Sequence, residues 1–157
     1  MEEKRIIKQE KVYDENGKLK YVIIPNYTKT DYFMSQSEIK FYKVLIVAIQ
    51  KIKKENSFNL EIFPQVAINR IIKQNNKREN ELEKDIFAKS IDFVLYNKNT
   101  DEIYCCIELD GKEHFTDKDR IERDIIVNNA FKGNIKLIRQ KVQDSYNIDE
   151  VINKILY

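Results

Sequence analysis

Three acids stand in two segments whose other residues are apolar: Asp92 in Ile91-Asp92-Phe93-Val94, and Glu108 and Asp110 in Cys106-Ile107-Glu108-Leu109-Asp110. Side chains alternate along a strand, so Glu108 and Asp110 share one face while Ile107 and Leu109 take the other, toward a core. A hairpin turn centred at Asn99 or Thr100 sets Asp92 opposite Cys106 or Glu108, and either register places it on the face of Glu108. That register also sends Ile91 and Phe93 to the core, whereas an odd one would turn Asp92 away. Carboxylates gathered in this way repel one another unless a cation compensates. A hard divalent ion is one answer, since Mg²⁺ takes oxygen ligands and is commonly held by one or two carboxylates plus substrate phosphate. A basic side chain is the other: one acid paired with Arg120 or Arg123, its fellows solvated at a strand end, needs no metal.

The rest of the reactive inventory is small. One histidine, His114, excludes any centre built from several imidazoles within one copy of the chain. It is the only side chain that ordinarily titrates near neutral pH, and so is either a general acid or base or a turn residue hydrogen-bonded to Asp110. Cys105 and Cys106 are neighbours in an apolar run, where a mutual disulfide would be strained and two thiols are too few for a structural metal; both read as strand residues. Between Ala67 and Arg78 the chain carries Arg70, Lys73, Lys77 and Arg78 with no acid, and with Asn and Gln between them. That composition suits phosphate contacts, and equally a solvated helix and loop.

Composition bounds the class. With 28 Lys and Arg against 26 Asp and Glu in 157 residues the formal charge is +2, too near neutral for a nonspecific polycation, so nucleic-acid binding would have to come from local patches. A charged fraction of 34% beside an apolar fraction of 42% describes a globular chain, and at this length folding buries roughly 70% of the unfolded surface. No apolar run approaches the roughly 18 residues of a membrane helix, and Met1-Glu2-Glu3-Lys4-Arg5 leads into no secretory signal. The expectation is a cytoplasmic protein with no membrane partner.

Three glycines and two prolines punctuate the elements that must position these groups. Asn16-Gly17 between Ile6–Tyr13 and Leu19–Ile24 predicts a β-hairpin with positive φ at the glycine, closed by Pro25. Ser35-x-x-Glu38 is a capping-box pattern, and Ile39, Tyr42, Leu45, Ile46, Ile49 and Ile52 recur at helical spacing as far as Lys54. An edge strand over Phe58–Val66 with Pro64, a short helix at Ala67–Lys73 and a polar loop over Gln74–Lys84 follow. Ser90–Tyr96 and Glu102–Asp110 predict an antiparallel hairpin, ended by Gly111. A helix over Asp117–Lys132 presents Ile121, Ile125, Ile126, Val127, Ala130 and Phe131 as one broad apolar face and stops at Gly133. Ile135–Arg139 is a last strand and Ile148–Leu156 a closing helix.

Asp92, then Glu108-Leu109-Asp110-Gly111-x-x-His114 sixteen positions on, then Arg123-Asp124 in a helix and Leu137-Ile138-Arg139 in a strand, resembles the PD-(D/E)XK nuclease superfamily. More closely, it resembles the branch near very-short-patch-repair-like endonucleases, including an uncharacterised bacterial domain family with the pattern E-L-D-G-x-x-H. From Ser35 to Arg139 the order fits that superfamily's α-β-β-β-α-β core. The resemblance implies an α/β, restriction-endonuclease-like domain over 31–157, its mixed sheet flanked by helices, with an N-terminal hairpin extension over 1–30 and a C-terminal helix. It implies a divalent-metal-dependent nuclease on DNA, with Mg²⁺ or Mn²⁺ on Asp92 and Glu108, and with Glu38 matching an acid that some members bring to the site from the first helix. The capping box already gives Glu38 a second employment. The superfamily's lysine, two residues after the second acid, is here Asp110, as in the branch resembled, which leaves Lys112, His114, Arg123 and Lys141 as the positive groups nearby. Two other classes stand beside this one: a degenerate nuclease fold that binds nucleic acid without cutting it, and a protein-interaction domain. Small nucleases often dimerise to cut both strands, which leaves a homodimer open.

Overall fold

A computed structural model describes residues 8–24, 29–73, 89–111 and 118–157. The chain divides into two compact units, Met1–Phe33 and Met34–Tyr157. In the first, β1 (Lys8–Tyr13) and β2 (Leu19–Ile24) pair antiparallel. Gly17 takes φ 75°, and the Asp14 carboxylate accepts from the N–H groups of Asn16 and Lys18 at 3.0 and 2.9 Å, so the side chain of the turn's first residue locks the reversal.

The second unit is a mixed four-stranded sheet with helices on both faces. Its order is β3 (Leu60–Ala67), β4 (Ser90–Asn97), β5 (Glu102–Asp110) and β6 (Leu137–Lys141), with only the β5–β6 pair parallel. The first helix, α1 (Gln36–Asn56), begins with the capping box that the sequence spells. Ser35 Oγ accepts from Glu38 N–H, and Glu38 Oε2 accepts from Ser35 N–H at 2.6 Å. The stripe α1 buries is Phe41, Leu45, Ala48 and Ile52, rotated from the expected one, with Tyr42 and Ile49 on its flank. It packs with the closing helix α4 (Ile148–Leu156) on Phe93, Leu95, Cys105, Ile107 and Ile138.

On the other face, Val127 and Phe131 of α3 (Lys118–Phe131) meet Ile91, Val94 and Cys106, together with Ile68 of the single-turn α2 (Ile68–Ile71). Two expectations are corrected here. Ile91 and Phe93 do not share a core face: they pack into opposite clusters, and the β3–β4 ladder skips Asp92 between them. Nor is α3 apolar on one buried face: Ile121 and Ile125 remain 46% and 54% exposed. Gly133 takes φ 78° just beyond α3, as a helix stop requires. Cys105 and Cys106 are free, buried and on opposite faces, and burial pushes both thiols up to about 12, so both are neutral packing groups.

Candidate functional site

The site begins where a regular ladder stops. Phe93 pairs with Ile107 and Val94 with Cys106, so the next position from the turn brings Asp92 beside Glu108. On the other side of β4, Pro64 pairs with Phe93 and Val66 with Ile91, skipping Gln65 and Asp92. Gln65 holds φ 54°, a left-handed conformation that costs a non-glycine residue roughly 1–2 kcal/mol. Such strain persists only where the surroundings over-determine it, and it gathers at functional sites.

Here the surroundings are four polar side chains from four elements. Asp92 Oδ2 accepts the Leu109 N–H at 2.7 Å, so a side chain takes the part of a ladder carbonyl and holds β4 and β5 together where backbone pairing has ceased. Gln65 Nε2 donates to Glu38 Oε1 at 3.0 Å and stands 3.4 Å from Asp92 Oδ1. Glu108, buried within the sheet, hydrogen-bonds to Asp92. Glu38 therefore serves both roles, one carboxylate oxygen capping α1 and the other joining the cluster.

Burial pushes the Asp92 carboxyl above its ordinary range. The Leu109 N–H and the bond with Glu108 pull it back, while the charge of Glu38 pushes it further up. Glu38 and Asp92 thus share one amide, Glu108 meets Asp92, and Asp92 ionises against resistance. The donors are all oxygen, the chemistry a hard cation selects. Asp92 and Glu108 are the two that meet directly; among the described residues no three His, Cys, Asp or Glu side chains are gathered closely enough to form a complete protein cage. Mg²⁺ accepts such a site, because it keeps most of its waters and needs only one or two carboxylates.

Asp110, two residues along β5, belongs to another arrangement. Its Oδ1 accepts from Arg139 Nη1 at 3.1 Å, and Arg139 Nη2 donates to Asp124 Oδ1 at 3.1 Å and Asn128 Oδ1 at 3.3 Å. The basic partner is thus Arg139 of β6, delivered by the parallel register that sets Glu108 beside Arg139 and Asp110 beside Lys141. Lys141 is exposed at the end of β6; Arg70 and Lys73 are exposed just beyond β3. Lys77, Arg78, Lys112 and His114 lie outside the described residues, as does the side chain of Arg123. Gln65 is the site residue that the pattern of acids did not disclose. Its one signal was an amide in a strand segment otherwise rich in apolar residues, directly after Pro64.

A family model described as "Protein of unknown function (DUF2726)" matches residues 30–157, and the chain belongs to that family. The match takes in every residue of both arrangements and leaves β1 and β2 outside it. No curated protein and no solved structure matches the chain.

Proposed function

We propose that this member of the DUF2726 family is a divalent-metal-dependent nuclease that hydrolyses phosphodiester bonds in DNA, on a restriction-endonuclease-like core. The observation that carries the reading is the break in the β4 ladder. There Asp92 leaves the sheet's pairing pattern, meets Glu108, and is tied through Gln65 to Glu38, at the cost of a strained backbone and a carboxyl that resists ionising. Part of this arrangement is structural, since Asp92 bridges β4 to β5 and Glu38 caps α1, and the strain and the raised carboxyl are what support a cation site. Asp92 and Glu108 are the residues to hold Mg²⁺ or Mn²⁺, which when bound polarises the phosphodiester and lowers the pKa of water.

The chain's own groups do the rest. The Leu109 N–H fixes one oxygen of Asp92, and the Gln65 amide aims the other and the Glu38 carboxylate into the same space. Lys141, Arg70 and Lys73 are exposed cations for phosphate contacts, with Lys77, Arg78, Lys112 and Arg123 as further sequence candidates. His114, three residues beyond Gly111, is the candidate proton-transfer group; His114→Ala then slows cleavage by about 10²–10⁴-fold with little change in binding.

The second reading, a module that binds nucleic acid without cutting it, draws support from Asp110. At the position of the superfamily's lysine this acid is committed to Arg139 and supplies no cation. One experiment separates the two. The nuclease makes strand breaks in linear, supercoiled or single-stranded DNA with Mg²⁺ or Mn²⁺; Asp92→Ala and Glu108→Ala abolish them while metal-free DNA affinity stays level or rises slightly. A salt-sensitive gel shift without breaks in the wild type identifies the binding module. Cleavage that survives both substitutions removes this site from the reaction.

A further inference from the structure

We infer that the groove beside the Asp110–Arg139 pair receives an unpaired nucleotide of the DNA, so that the substrate is single-stranded or locally unpaired at the cut. The inference rests on the nuclease reading for the position of the scissile phosphate.

The groove lies between α3 and the end of β6 and has a volume of about 760 Å³, within the size range of small-ligand sites. One wall is Ile121 and Ile125, which stand one helical turn apart and stay outside the core. An exposed apolar pair offers the face of a base something to lie against. Asn128 and Gln143 bring side-chain amides, which carry both donors and acceptors, as base edges do. At the rim Lys141 is an exposed cation, and among the described residues its ammonium is in no ion pair. Such a group suits the phosphate of the nucleotide whose base enters. Arg139, clamped by Asp110 and Asp124, gives a rigid wall with its charge already balanced.

Position supports the same occupant. Asp110 and Lys141 are partners in the β5–β6 ladder two residues beyond Glu108 and Arg139. Two residues along a strand span about 6.6 Å, on the order of one nucleotide step of an extended chain. A phosphodiester at Glu108 would therefore place a neighbouring nucleotide at the groove. A base inside a duplex is stacked and paired and cannot enter a groove of this kind without leaving the helix.

The test is metal-free fluorescence anisotropy with one labelled DNA sequence, as a single strand and as a blunt duplex, using the wild type and an Ile121→Gln/Ile125→Gln variant. Both positions are exposed, so the variant keeps its core, which circular dichroism verifies. The single strand should bind the wild type about tenfold more tightly than the duplex, and the variant should lose about tenfold on the single strand alone. Equal affinity for the two DNAs, or a variant indistinguishable from wild type, overturns the inference. So does failure to bind either DNA, including the case in which the wild type self-associates through the isoleucine pair and the variant does not. Duplex cleavage without single-strand preference leaves the nuclease standing and removes the inference. Single-strand preference without cleavage in Mg²⁺ or Mn²⁺ removes the nuclease reading and the placement of the cut, and keeps the groove as a site for an unpaired nucleotide.

Discussion

Glu108 and Asp110 stand two residues apart on one strand of one sheet, and among the described residues they meet different neighbours. Asp110 faces a guanidinium held in a fork by two carboxylates, and each side chain is about one-third exposed or less. Glu108 faces Asp92, which burial and the charge of Glu38 hold against ionisation. The parallel register makes the difference, placing Arg139 where its guanidinium reaches past Glu108 to Asp110 and on to α3. Of two acids with the same alternation, one ties β5, β6 and α3 together and the other hydrogen-bonds to Asp92, whose carboxyl burial pushes up.

Four substitutions sharpen or break that contrast. Glu108→Ala should lower metal-dependent cleavage by roughly 10³-fold or more, measured by single-turnover breaks in labelled DNA. Asp110→Ala lowering cleavage equally would erase the distinction. Next, Gln65→Ala frees both Asp92 and Glu38 from their shared amide and should reduce cleavage by about 10- to 100-fold, with Mg²⁺ required at higher concentration. An unchanged metal titration would show that Gln65 positions nothing.

Arg139→Met acts on the other arrangement. It keeps the apolar stem and removes the fork, leaving Asp110 and Asp124 uncompensated, and should cost about 1–2 kcal/mol in denaturant unfolding once solvent screening is allowed for. The smallest effect is a gain: Asp92→Asn should raise stability at neutral pH while abolishing cleavage. Because burial raises the folded pKa of Asp92, its contribution to stability is fully present below the ordinary aspartate value. It is lost as pH rises from there through the raised folded value, since the unfolded chain ionises first. The advantage of the Asn variant should accordingly appear across that interval and vanish in acid, as thermal melts at pH 3, 5 and 7 will test. A variant less stable than wild type at pH 7 would mean that the Asp92 hydrogen bonds outweigh its desolvation.

By itself the amino-acid sequence determined what depends on near neighbours. Ser35 and Glu38 close a capping box because three residues of helix bring them together. Gly17 and Gly133 sit where positive φ is needed, and the strands at Ser90–Asn97 and Glu102–Asp110 follow from β-branched and aromatic runs around a polar turn. Alternation put Glu108 and Asp110 on one face, whereas a register shift between Leu95 and Tyr96 was needed to bring Asp92 beside Glu108. Tertiary structure alone decided the rest. Gln65 enters the site because β3 breaks its ladder opposite Asp92 under the start of α1, contacts that are 27 residues apart in the chain. Arg139 finds Asp110 across 29 residues through a parallel pairing whose register no local pattern encodes. Ile121 and Ile125 leave the core because one helix can turn only part of its surface to a sheet, and Val127 and Phe131 occupy that part.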